Sequence, residues 1–597
     1  MKHIPFFFFF VCFLTSLDAQ PTGGPYGPVR RHYDTDQING GIIYVSPDAL
    51  DTGDGTTIES PITLEEAISK ANTGDAIILR GGIYRTGDLK FNQGIILQPY
   101  RDEIPVLKGT KTATDWEQLR NGLWRCDWAT LFPQSAPEWW YRESSGRVTP
   151  PYAFNYDMVF YDGRLLDAVG WEGDLDDHSF YIDYESKQVY LSLDPTGHEV
   201  EITAFDNALT RTTEPCNGKT SDRVGPVIQG ITFTQYAYRA LEVEGTEGHR
   251  LTAPENMGKE VIGTRLENVT ISYCSRAGCY LRGDDLVVRN CLVSDTGFEG
   301  IYVISSGNIL LEKNIVTKTN IENIQGVFAT AIKIFNQCHN AVCRDNLIID
   351  NPNSSGIWYD VGNVDGLFYN NWIERTDNGF FFEISNGAVC AGNVFVDCGT
   401  GIYVLNSRDV KIWNNTLYNS SIKVSRNERT SEGDVFGWHA QTGPDIPERG
   451  DHIIANNLLV ASAEYTQALV QVLQAQVLHG SVNTPQVAAM GHNVYIDNRE
   501  SKPLIKWSPY VGIDEDSDSI AFTSLNEFQD NVVEMGQHSL QLKADTKQVF
   551  KSIPLHNFEL NKTFILSYKP KALPEEIHKL LPWMNDKGSI PGAFPIE

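Results

Sequence analysis

Short apolar and β-branched runs recur through the middle of the chain without helical periodicity, and polar residues punctuate them at regular distances. Asn268, Asn290, Asn314, Asn346, Asn371, Asn393 and Asn415 each precede such a pair, at successive intervals of 22, 24, 32, 25, 22 and 22 residues. A period in the twenties built from β-rich runs predicts a parallel β-helix, each turn of chain laid on the one before. The asparagines are then expected to stack inside it and bond side chain to side chain along the axis.

Each repeat carries a second run, usually opened by glycine: 278–282, 300–304, 331–335, 356–360, 379–383 and 401–405. Side chains alternate faces along a strand. Ile301/Val303, Ile332/Ile334, Ile357/Tyr359, Phe380/Phe382 and Ile402/Val404 are therefore expected inside. The outward positions form two columns. One reads Tyr280, Tyr302, Lys333, Trp358, Phe381, Tyr403; the other reads Arg282, Ile304, Phe335, Asp360, Glu383, Leu405. An aromatic column beside two carboxylates on a solvent-facing sheet is a pattern suited to a sugar-binding cleft, because ring faces stack on the C–H surfaces of sugars.

The flanking regions read differently. Residues 1–19 have the charge, apolar run and small residue of a secretory signal. Residues 20–110 combine short strands with an amphipathic segment ending at Ala71, as expected of a first few turns with a helix over the open end. From 111 to 205 the repeat lapses into tryptophan-rich alternating strands with Asp-Gly and Pro-Thr-Gly turns, which predicts a small inserted β-sandwich-like domain. The solenoid is expected over 206–490, with a polar excursion at 427–450, and an irregular segment packed on it over 491–597. The fold class is all-β.

A net charge of −28 argues against nucleic acid as a partner. No run beyond the leader is apolar enough to span a membrane, so a periplasmic or secreted protein is expected. There is no Cys-x-x-Cys pair, and the turn acids Asp284, Asp285 and Asp365 offer too few oxygens for calcium. Neither metal nor cofactor is expected. His339 reads as structural, and Arg282 as distant from the carboxylates.

Asp360 and Glu383 each stand four residues after their glycine, and so should be nearest neighbours on successive turns. Strands lie about 4.8 Å apart, close to the roughly 5–5.5 Å between the two carboxyls of a retaining glycosidase. Stacked like charges are destabilising, so the pair has a cost that function would explain. Glu383, after a phenylalanine run and beside another carboxylate, suits a general acid; Asp360, with Lys333 on the diagonal, suits a nucleophile. Trp358, Phe381, Tyr302, Tyr403 and Lys333 are the candidate substrate contacts.

A Trp-x-Asp motif followed 23 residues later by Glu in adjacent coils, with an inserted β-sandwich, resembles the β-helix β-xylosidases of glycoside hydrolase family 120. The resemblance implies a right-handed parallel β-helix, with Asp360 as nucleophile and Glu383 as acid/base. Beyond the glutamate this chain departs from the family, with Ser385 and Asn386 where a histidine is expected. Two other readings use the same scaffold. One is a polysaccharide lyase with Lys333 as base; the other is a non-catalytic carbohydrate-binding surface protein. None of these readings fixes an oligomeric state.

Overall fold

A computed structural model describes residues 24–135, 149–245, 257–325, 329–429, 443–510, 517–561, 564, 568–584 and 591–594. The leader, Trp139 and Trp140, and most of the 427–450 excursion lie outside these residues. Three sheets of 13 strands each run the length of the molecule. Apart from the terminal pairing of Ile505–Trp507 with Ile520–Phe522, neighbouring strands in them are parallel. The chain visits the three sheets in turn, which makes a parallel β-helix.

The alternation read from the sequence decides what is inside. Ile301, Val303, Ile332, Ile334, Ile357, Tyr359, Phe380, Phe382, Ile402 and Val404 all have 0% exposure and share one continuous core. The glycines opening these strands answer a steric demand. A Cβ on Gly356 would stand 2.6 Å from the Gly379 carbonyl oxygen, and one on Gly379 would stand 2.5 Å from that of Gly401.

The asparagine ladder is present with a shifted start. Nδ2 donates to the next Oδ1 from Asn314 to Asn346 at 3.0 Å, Asn346 to Asn371 at 3.0 Å, Asn371 to Asn393 at 3.1 Å and Asn393 to Asn415 at 2.9 Å. It continues through Asn457 to Asn493, at 3.0 Å per step. Asn268 and Asn290 are not members. They sit one residue earlier, in left-handed turns with φ of 54° and 49°, and buried Val269 and Cys291 occupy the ladder position. Asparagine serves both positions because it tolerates φ > 0 and also satisfies buried backbone groups. The pairs Asn370-Asn371, Asn414-Asn415 and Asn456-Asn457 show both uses side by side.

The helix Leu64–Lys70, capped by Thr63 Oγ1 accepting from Glu66 N at 3.2 Å, buries Leu64, Ala67 and Ile68 over the first turns. Between Thr110 and Thr203 the chain forms a four-stranded and a five-stranded sheet that enclose Val159, Phe180, Val189, Leu191, Val200 and Ile202. This unit packs on the solenoid: Ser275 Oγ donates to the Tyr156 carbonyl at 2.6 Å, and Gln325 N to Thr149 Oγ1 at 2.8 Å. The solenoid runs further than its period suggests. Val494–Asp497, Ile505–Trp507 and Leu540–Leu542 continue the sheets, and the helix Leu525–Asn531 closes that end with Leu525 and Phe528.

Candidate active site

Asp360 and Glu383 are Cα partners on adjacent parallel strands, Ser355–Asp360 and Asn378–Glu383. In the same register Lys333 pairs with Trp358, Trp358 with Phe381 and Phe381 with Tyr403, so both outward columns are as the alternation implies. Tyr302 stands one rung before Lys333.

The surroundings differ from a solvent-facing wall. Asp360 is 4% exposed, Glu383 6%, Trp358 4% and Phe381 7%. Trp358 stacks on Phe381 with centroids 4.6 Å apart, and Phe381 stacks on Tyr403 at 4.6 Å. Rings repeated at one rung spacing lie face to face, so Trp358 and Phe381 cover one another and do not face solvent. The expectation of open aromatic platforms is corrected accordingly. Clefts of about 470 and 550 Å³ lie on the inserted unit and beside the helix Glu575–Leu580, away from these carboxylates.

Each carboxylate has its own cation. Lys333 Nζ donates to Asp360 Oδ2 at 2.7 Å and lies 3.0 Å from the Trp358 ring centroid. Burial pushes the Lys333 ammonium below its ordinary value, while Asp360, Glu383 and Glu299 oppose that shift. Arg429 Nη1 donates to Glu383 Oε1 at 3.0 Å. Buried Arg449 fixes the backbone that carries Arg429, donating to the carbonyls of Asn427 at 2.6 Å, Pro444 at 3.2 Å and Arg429.

Two residues of this neighbourhood escape a sequence reading. Arg429 lies in the polar excursion, where no period announces a position. Glu299 opens the strand Glu299–Ile304, is buried, and lies 3.6 Å from Arg276. The same position holds Ala277, Thr330, Ser355, Asn378 and Thr400 in other turns, so a lone acid there was a usable signal.

Backbone strain is also local to the pair. The residue after each outward strand turns the corner with φ > 0: Ser305 at 46°, Asn336 at 62°, Val361 at 59°, Ile384 at 48° and Asn406 at 51°. The two β-branched members follow Asp360 and Glu383, where a left-handed conformation costs roughly 1–2 kcal/mol each. Strain of this kind concentrates at functional sites. Ser385, at the point of departure from the xylosidase pattern, is fully buried and donates to the Glu383 carbonyl at 2.7 Å. It is part of the corner, out of reach of a substrate.

Among the described residues no group of His, Cys, Asp and Glu is arranged to hold a metal, and no helix is long and apolar enough to cross a membrane. All nine cysteines among them are free thiols, eight of them buried.

Residues 257–422 match the family model described as the right-handed β-helix region. Of solved structures, the complex of XylC with xylose aligns at a TM-score of 0.50 with 16% identity, covering 80% of this chain and 88% of that one. This likeness shows a right-handed parallel β-helix. A structure titled glycoside hydrolase aligns at 0.40 with 12% identity, covering 88% of this chain and 100% of that one. Pectate lyase Pel9A aligns at 0.37 with 11% identity over 94% and 97%. No curated protein sequence matches the chain.

Proposed function

We propose that this protein is a secreted or periplasmic glycoside hydrolase, β-xylosidase-like, that retains anomeric configuration. The observation that carries the reading is the register of Asp360 with Glu383, one rung apart on the outward face of one sheet. A rung spacing of about 4.8 Å is close to the roughly 5–5.5 Å between the carboxyls of retaining enzymes and suits direct attack. Asp360, oriented by Lys333, attacks the anomeric carbon and forms a glycosyl ester while Glu383 gives its proton to the leaving oxygen. Glu383 then takes a proton from water, which displaces Asp360. The burial of both side chains means that substrate entry must displace part of what covers them. Arg429, over Glu383 with a side chain 37% exposed, is one such partner.

The test is the first-formed anomer on aryl glycosides of xylose, arabinose, fucose and galactose, read by proton NMR. Retention is expected. Asp360→Ala should lose turnover on every substrate. Glu383→Ala should keep activity on good leaving groups and be rescued by azide. An inverted first product would overturn the assignment of Asp360.

One observation favours a second reading. Lys333, buried on the outward column beside Asp360, is a residue of the type that a uronate lyase on this scaffold would use as base. That reading requires an unsaturated uronate product, visible by its ultraviolet absorbance, and loss of that product in Lys333→Met.

A further inference from the structure

The outward column that holds Trp358 and Phe381 changes character beyond Tyr403. Tyr403 pairs in register with Lys423, Lys423 with Gln471, and Gln471 with Lys506, all on the same sheet. Lys423 is therefore two rungs from Phe381 and Lys506 four, about 10 and 19 Å along the axis. Both lysines are half-buried, and neither forms an ion pair among the described residues. The chain has 76 acidic residues against 48 basic ones, so a lysine without a contacting carboxylate is conspicuous. Asp377 and Asp518 act on Lys423 only from a distance, and burial with the like charge of Lys506 pushes its ammonium down. Lys423 Nζ lies 4.5 Å from the Tyr403 ring centroid, which positions the ammonium without neutralising it. A half-buried cation held in place and not neutralised, as Lys423 is, is suited to taking an anion from outside.

We propose that Lys423, Gln471 and Lys506 form a binding track for the acidic substituents, carboxylate or sulfate, of a glycan lying along the helix axis. The inference rests on the hydrolase reading for its direction, since the column leads away from Asp360 and Glu383. An extended glycan advances by about one strand spacing per sugar, so the two ammoniums would meet alternate sugars. The bond cleaved could then be neutral while the chain around it is acidic. Gln471, whose Nε2 donates to Ser421 Oγ at 3.4 Å and Gln467 Oε1 at 3.4 Å, would serve the hydroxyls between.

The experiment is calorimetric titration of the Asp360→Asn protein, which binds without turnover, at low salt. The probes are an oligogalacturonate, its carboxyl-reduced counterpart and a sulfated xylo-oligosaccharide. At least one acidic probe should bind about tenfold or more tighter than the neutral one, as expected for charge-assisted hydrogen bonds. Lys423→Gln should lower that preference by about tenfold, Lys423→Arg should keep it, and Lys423→Gln with Lys506→Gln should abolish it. Equal affinity for acidic and neutral probes would overturn the track, as would a preference that survives the double substitution. The two readings fail separately. Acidic binding in a protein that hydrolyses no glycoside would sink the hydrolase and leave the track; hydrolysis without acidic preference would do the reverse.

Discussion

Arg429 donates from Nη1 to Glu383 Oε1 at 3.0 Å, so the carboxyl assigned to proton transfer rests against a guanidinium. A neighbouring cation favours the charged form of a carboxyl, and a neighbouring carboxylate disfavours it. Arg429→Gln removes this cation and leaves the Asp360 carboxylate in place on the next rung. The alkaline limb of kcat/KM should therefore move upward, by about one pH unit or more. A profile that keeps its shape while KM rises would make Arg429 a substrate contact only.

Trp358 is buried in the stack with Phe381 and under the Lys333 ammonium. Trp358→Ala should destabilise the fold by about 3–5 kcal/mol in urea unfolding. Loss of affinity for sugars at unchanged stability would restore the ring as a substrate platform.

Asn371 donates to the carbonyls of Cys343 at 2.9 Å and Tyr369 at 3.1 Å, and its Oδ1 accepts from Asn346 N at 3.0 Å. Asn371→Ala strands these groups in the core, and should cost roughly 2–5 kcal/mol. Asn290→Ala removes no ladder bond and should cost less, so comparing the two denaturation midpoints tests the shifted start of the ladder.

His452 is buried, and its Nδ1 accepts from Val410 N at 3.2 Å. Burial, aided by Arg426, pushes its pKa down to about 3 from 6.5. The unfolded chain then binds the proton more readily than the folded one. Stability from this group is present above about pH 6.5 and is lost as pH falls toward 3. Between about pH 7 and 4.5 the loss should be roughly 2–3 kcal/mol, and the corresponding shift in urea midpoint should shrink in His452→Gln.

The columns were legible in the sequence because alternation and period are properties of the strands themselves. Asp360, Glu383, Lys333 and Trp358 could each be given a neighbour from spacing alone. Exposure could not be read this way. Whether an outward face meets solvent depends on segments outside the period, so Trp358 and Phe381 were expected open and are closed. Arg429 was hidden for the same reason. The 42 and 36 residues from Asn415 to Asn457 and from Asn457 to Asn493 also hid the last turns, since insertions at corners dilute a repeat without breaking its sheets.

Parallel strands in a solenoid form a ruler marked about every 4.8 Å. Groups in one column can be one mark apart or two, about 9.6 Å, and the second spacing meets the upper end of the roughly 6.5–9.5 Å of inverting hydrolysis. Side-chain substitution at Asp360 or Glu383 changes length by less than a mark. Insertion of a whole turn between them would change it by one. A lineage built on this scaffold would therefore alter its stereochemical course in steps of a full coil of chain, and not by gradual adjustment of its carboxylates.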